Sequence, residues 1–237
     1  MKDFLLNNYT ILTHLFEAIA ALTGVFLYKK HYTTEVKYFI WFLVYLTIFD
    51  FIGTNYKGYV DDGEFLNFLK GTVIETNHWW YTFFWKVGAI LFFVFYYSKI
   101  LKTKPFKDIV KISGYAFFLF SVVYIAINWD AFFNTFFPII SILGAIIVFL
   151  CSVFYFIEVL QSDKILTFYK SINFYISFAI FIWWLIITPL VFYDLYHTSG
   201  DWNFIFLKWQ IYLFANIFMY STFTFALIYC KPESKNE

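Results

Sequence analysis

Two ionisable residues interrupt the first apolar stretch of the chain. His14 and Glu17 stand three positions apart in LTHLFEAIAALTG, a spacing that puts both on one face of a helix. Asp50 lies in the second apolar stretch and Lys86 in the third, while Gln210 and Asn216 add amide groups to the last. An imidazole, two carboxylates and an ammonium can hold a small polar ligand or ion, relay a proton, or pair with one another in a dry salt bridge. With Lys86 bridging Glu17 and Asp50, one negative charge remains in excess. A protonated carboxyl, a cationic His14, a ligand cation or water must then balance it.

Trp183 and Trp184 fall mid-span, deeper than an interfacial tryptophan belt requires, and their N–H groups call for partners that a polar cavity supplies. The expected ligand- or ion-binding set is therefore His14, Glu17, Asp50, Lys86, Gln210, Asn216, Trp183 and Trp184.

Other chemistry finds less support. The chain has no G-x-S-x-G, H-E-x-x-H or P-loop pattern, so no catalytic residue is assigned. His14, His78 and His197, the last with Asp194 three residues before it, can reach one side of the protein, but they form no local ligand motif. No metal and no cofactor is expected. Cys151 and Cys230 are too far apart for a C-x-x-C pair, which excludes a disulfide framework or a cysteine zinc site.

The elements that must position these groups follow from composition. Of 237 residues, 62% are hydrophobic, 27% aromatic and 14% charged. Soluble domains carry roughly a quarter charged residues, so the solvent implied is lipid. All 17 basic residues are lysines and the net charge is +1, which removes the arginine fork and argues against nucleic acid as a partner. Seven stretches reach the length of a bilayer-spanning helix: about 5–29, 38–56, 79–100, 112–129, 137–160, 171–193 and 205–230. The fold class expected is all-α, a seven-transmembrane-helix bundle forming one membrane domain over 1–237, with no soluble catalytic domain.

Lysine placement orients the bundle. Lys29, Lys30, Lys37, Lys99, Lys102, Lys104, Lys107, Lys111, Lys164, Lys170, Lys231 and Lys235 fall on one side; Lys2, Lys57, Lys70 and Lys208 fall on the other. The positive-inside rule then puts the N-terminus outside and the C-terminus in the cytoplasm of a bacterial inner membrane. The first span reads as a retained helix rather than a signal peptide, because its positive charge follows the apolar run. Counting 1.5 Å per residue, Glu17 and Asn216 come near the midplane, Asp50 and Lys86 roughly 4–5 Å outward, and Gln210 roughly 10 Å outward of Asn216. The ionisable band thus sits in the outer half, and Glu158 at the exit of the fifth span can reach cytoplasmic water.

Local features refine this plan. In DDGEFLNFLKG, Asp61 and Glu64 have capping-box spacing, Phe65, Phe68 and Leu69 share a face, and Gly71 suits a stop; a short surface helix within the 57–78 loop is expected. Ala20-xxx-Gly24 and Ser141-xxx-Ala145 are candidate close-contact seams between helices. Pro189 should free the carbonyl of Leu185, with Thr188 a local partner for it.

The N-out, seven-span plan is similar to that of microbial rhodopsins, but no lysine stands in the middle of the last span and Lys208 is too close to its outer end, so retinal attachment is disfavoured. The stretches SDKILTFYKS and ANIFMYSTFT resemble small uncharacterised bacterial polytopic (seven-helix) membrane proteins, a likeness that implies no activity. The function expected is that of a membrane sensor or receptor-like component binding a small ligand or a proton in an outward-facing polar pocket. It would signal to a cytoplasmic or membrane protein partner through inner basic loops such as KILKTKPFKDIVK, for which anionic lipid is the simpler partner. The alternatives are a proton-coupled small-molecule transporter and a structural subunit of a membrane complex.

Overall fold

The structure, a computed structural model, describes residues 2–63, 66–193 and 202–232. Among the described residues it is helical throughout, with no strand. Seven helices are long and apolar enough to cross a membrane. They are α1 (Lys2–Phe26), α2 (Val36–Asp61), α3 (His78–Ile100), α4 (Lys104–Ile127), α5 (Pro138–Leu160), α6 (Ile172–Tyr193) and α7 (Trp202–Tyr229). Continuous helix is what apolar surroundings enforce, because each backbone N–H and C=O must then find its partner within the segment. Helix α1 packs against α2 and α7, α7 against α6, α6 against α5, and α5 against α3 and α4. Much of the outward surface is apolar: Ile11, Phe26, Ile112, Tyr115 and Ile127 are all more than 60% exposed. A patch of that kind suits lipid and not water.

Close approach at the helix seams rests on small residues. A Cβ at Gly24 of α1 would stand 3.1 Å from Ile40 Cγ2 of α2, so the two backbones meet where the Ala20-xxx-Gly24 spacing falls. Ser141 and Ala145 of α5 are both buried. The α2–α3 seam is aromatic: Phe42 stacks on Phe92 with ring centroids 3.8 Å apart, and Phe49 on Trp80 at 4.4 Å.

The two ends of the bundle differ in construction. At the lysine-rich end, Lys30 Nζ donates to the carbonyls of Leu227 and Ile228 at 3.0 and 2.9 Å, and His31 Nε2 lies 3.3 Å from the carbonyl of Leu227. The loop after α1 therefore caps the orphan carbonyls that end α7. Glu158, near the end of α5, accepts from the backbone N–H groups of Lys102 and Thr103 just before α4. Within this half, the Tyr97 hydroxyl donates to Ser177 Oγ at 2.9 Å and lies 3.1 Å from Ser152 Oγ, a buried neutral cluster on three helices.

At the opposite end, α2 continues beyond the expected limit of 56 to Asp61. A single 3₁₀ turn, Asn67–Leu69, stands where a surface helix was expected. Gly71 follows with φ of 78°, a left-handed conformation suited to glycine, and its N–H donates to Glu75. Glu64 and Phe65 of the expected surface helix lie outside the described residues, as do Asp194, His197 and Asp201. In α6, Thr188 Oγ1 bonds the carbonyl of Trp184 at 2.6 Å, one residue before the Leu185 carbonyl that Pro189 frees. A threonine hydroxyl reaches back four residues along its own helix, which selects Trp184.

Candidate functional site

The site begins on α1. Its 3.6-residue period brings Tyr9, Thr13 and Glu17 into one stripe, with Thr10 and His14 beside it. Across from this stripe, α2 offers Asp50 and Thr54, α3 offers Tyr81 and Trp85, α6 offers Trp183, and α7 offers Tyr212, Asn216 and Tyr220. Together these residues line a cavity of about 270 Å³. That is room for several waters or a small solute. Thr10 and Thr54 are exposed and form its rim; Glu17, 4% exposed, lies at its floor.

The start of α3 shapes one wall. From Tyr81 to Val87 the backbone runs as a π-helix, a rare geometry associated with functional sites. The Tyr45 hydroxyl of α2 donates to the Phe84 carbonyl inside this stretch at 2.9 Å. Nearby, Trp80 Nε1 donates to the Phe49 carbonyl and Asn77 Nδ2 to the Gly53 carbonyl, so the first turns of α3 are tied to α2. Tyr81 and Trp85 face the cavity as a result.

Charge is concentrated in three side chains. His14 Nδ1 stands 3.7 Å from Glu17 Oε2 and 3.4 Å from Asp50 Oδ2. The Tyr81 hydroxyl donates to Asp50 Oδ1 at 3.0 Å and lies 3.1 Å from Thr54 Oγ1. Tyr220 is within hydrogen-bonding reach of Glu17. Neither ring nitrogen of His14 makes a hydrogen bond to the described residues, and Glu17 Oε2 accepts none from them. One imidazole nitrogen and two carboxylate oxygens thus lie within 4.8 Å of one another, a set of atoms able to hold a cation. Opposite them, Trp183 Nε1 donates to Asn216 Oδ1 at 2.7 Å.

Of the residues singled out in the sequence, His14, Glu17, Asp50, Asn216 and Trp183 therefore converge on one cavity. Lys86, Gln210 and Trp184 are not in its lining. The Lys86 ammonium instead lies 4.8 Å over the ring of Phe136, which follows α4 in the chain. Trp184 packs edge-on against Trp183, with ring centroids 5.2 Å apart. Depth along a span places a residue at a level and says nothing of its azimuth, and Lys86 stands in the π-helical stretch, where the angular step per residue differs from that of an α-helix. Sequence reasoning passed over Tyr81, Tyr220, Tyr9 and Thr13. Tyrosine occurs 20 times in the chain, so no single one stands out. The signal available was position: Thr13 and Tyr220 fall at the levels of His14 and Asn216. Comparison with protein families, curated proteins and solved structures returns no match for this chain.

Proposed function

We propose that the protein is a receptor-like membrane component that takes a small ligand or a proton from the outer face into the His14–Glu17–Asp50 cavity. One observation carries this reading: a buried carboxylate with an oxygen that accepts no hydrogen bond from the described residues faces a cavity large enough for a solute. His14 Nδ1, 3.7 Å away, offers that oxygen only a long contact, and a ligand or proton from the cavity would complete it.

The orientation rests on the lysine asymmetry, which assigns the cavity to the outer half of an inner membrane and the Glu158 latch to the cytoplasmic side. The inner half favours a binder over a carrier. Tyr97, Val148, Cys151 and Ile176 are fully buried there, and the polar groups that meet between these helices, Tyr97 with Ser152 and Ser177 and Tyr96 with Asn173, are neutral. The lysine-rich loop that leads into α4 is the surface offered to a cytoplasmic partner.

Cysteine accessibility tests the reading. Cys151 and Cys230 are buried, which keeps background labelling low. Thr10→Cys at the rim and Thr13→Cys at the cavity wall are expected to react with a small membrane-impermeant thiosulfonate cation in intact cells. Reaction only after the membrane is opened would reverse the orientation and remove the receptor. Failure of both to react in the folded protein, with full reaction after unfolding, would remove the pocket. Glu17-dependent uptake of solute into proteoliposomes would replace the receptor with a carrier.

A further inference from the structure

We infer that the His14–Glu17–Asp50 cluster is a binding site for a divalent transition-metal ion, with Zn²⁺ as its probe. This inference names the ligand class of the cavity and rests on that cavity being open to solvent.

Geometry is the first argument. With metal–ligand bonds of about 2.0–2.2 Å, ligand atoms at the corners of a tetrahedron stand about 3.3–3.6 Å apart. The two spacings from His14 Nδ1, 3.4 Å to Asp50 and 3.7 Å to Glu17, are close to that range. The third spacing, between the two carboxylates, is within 4.8 Å. A dry hydrogen-bonded network has no reason to adopt these separations, which are too long for N–H···O bonds of good strength.

Satisfaction of polar atoms is the second. Glu17 Oε2 and both ring nitrogens of His14 are buried without a hydrogen bond to the described residues. Around them the supporting groups are already engaged. The Tyr81 hydroxyl holds Asp50 by Oδ1 and leaves Oδ2 turned toward His14, and Tyr220 reaches Glu17. Outer partners that fix one oxygen of a carboxylate and leave the other free are what a metal site requires.

Charge is the third. With both carboxylates ionised and the imidazole neutral, as metal ligation requires, the cluster carries two negative charges in a wall whose other members are hydroxyls, an amide and indoles, with no lysine in it. A dication neutralises that set; a proton or a monovalent cation leaves half of it. The donor types narrow the metal. Imidazole suits zinc, iron and nickel better than magnesium or calcium, and no thiolate or thioether is present in the wall to select copper(I). Three protein ligands would leave a tetrahedral ion one position for water or a solute from the cavity.

The test uses the full chain, purified in detergent with an affinity tag free of histidine and stripped of metal. Calorimetry should show one saturable equivalent of Zn²⁺, and Co²⁺ should give the visible bands of a four- or five-coordinate centre. His14→Ala and Glu17→Gln should each weaken binding at least a hundredfold. Tyr81→Phe, which removes only a supporting hydroxyl, should weaken it about 10–100-fold. His78→Ala should leave it unchanged. If His14→Ala or Glu17→Gln does not fold, the wild-type Co²⁺ spectrum and Tyr81→Phe still decide. Absence of a saturable equivalent, or equal affinity in wild type, His14→Ala, Glu17→Gln and Tyr81→Phe, overturns the metal site. Thr10→Cys labelling in a protein that fails to bind metal would leave the pocket standing and remove only its metal. Metal binding in a protein whose cysteines resist labelling would do the reverse.

Discussion

Removing the Glu158 carboxylate should loosen the loop between α3 and α4 by an amount that follows from its three contacts. Oε1 and Oε2 stand 3.1 and 2.9 Å from the Lys102 N–H, and Oε1 stands 2.6 Å from that of Thr103. These are two backbone donors just ahead of a helix that begins at Lys104 with proline in its first turn, where the backbone needs an acceptor from elsewhere. A hydrogen bond to a charged group is worth about 1.5–3 kcal/mol, and two such bonds would give about 3–6 kcal/mol if dry. Lys102 is exposed, so water can take over part of the loss; halving the figure leaves about 1.5–3 kcal/mol. A carboxylate beside a helix N-terminus adds about 0.3–1 kcal/mol. Glu158→Ala should therefore cost about 2–4 kcal/mol. Glu158→Gln keeps an acceptor oxygen and loses the charge, which should cost about 1 kcal/mol. Steric-trapping measurements of unfolding in micelles or bicelles resolve the two. Losses below about 0.5 kcal/mol in both variants, or a larger loss for Gln than for Ala, would refute the assignment of Glu158 as a latch.

Three further outcomes follow from single contacts. Burial lowers the His31 pKa from its ordinary 6.5, with the nearby Lys30 charge acting the same way and the Leu227 carbonyl opposing. The unfolded chain then binds the proton more readily, so the stability His31 contributes is complete above about pH 6.5 and drains as pH falls through the folded value; His31→Gln should flatten that limb of the unfolding curve. Gly24→Val places methyl groups against Ile40, whose Cγ2 is already 3.1 Å from the ideal Cβ position, and should cost about 1–3 kcal/mol. Ile40→Ala in the same chain should restore part of that cost, a coupling above about 0.5 kcal/mol in a double-mutant cycle. Trp183→Phe removes the donor to Asn216 Oδ1; in a solvent-filled cavity water replaces it and the loss stays under about 1 kcal/mol, whereas a dry wall loses about 1–3 kcal/mol.

What the residues disclose on their own has a clear physical boundary. Seven helices long and apolar enough to cross a membrane are visible in the sequence because composition and length suffice to mark such stretches. Levels within the spans are visible for a related reason: a fixed rise per residue puts His14, Glu17, Asp50 and Asn216 into one band before any packing is known. Azimuth is a different matter. Lys86 shares that level with Asp50, yet its ammonium lies over Phe136, and it stands in a π-helical stretch that no mark in YTFFWKV distinguishes from α-helix. The end of α2 shows a third limit. The expected second span ends at 56, with 57–78 as a loop, but polar residues do not stop a helix whose own hydrogen bonds continue, and α2 runs on to Asp61. Neutral hydroxyls are the least legible. Tyr97, Ser152 and Ser177 meet from three separate helices, and nothing short of the packing brings them together.

The bundle contains two ways of joining its helices with polar groups, and their contrast bears on what the charged one is for. In the lysine-rich half, Tyr97, Ser152 and Ser177 tie α3, α5 and α6 together with neutral hydroxyls, fully buried and mutually hydrogen-bonded. Such a cluster fixes packing at small cost. In the other half, His14, Glu17 and Asp50 join α1 to α2 with ionisable groups, a class in which a charged Asp costs about 2.5–3.5 kcal/mol at the centre of a membrane helix. Their separations are longer than good hydrogen bonds, and they stand beside a cavity of about 270 Å³. If fixing the helices were their whole use, hydroxyls like those of the other half would serve with less penalty and no cavity. A ligand of complementary charge would offset that penalty, which is the reading proposed above. Under the proposed function, an ion or ligand held by His14, Glu17 and Asp50 would tie α1 to α2, and α1 ends in the loop whose Lys30 and His31 cap α7 at the far side of the bundle.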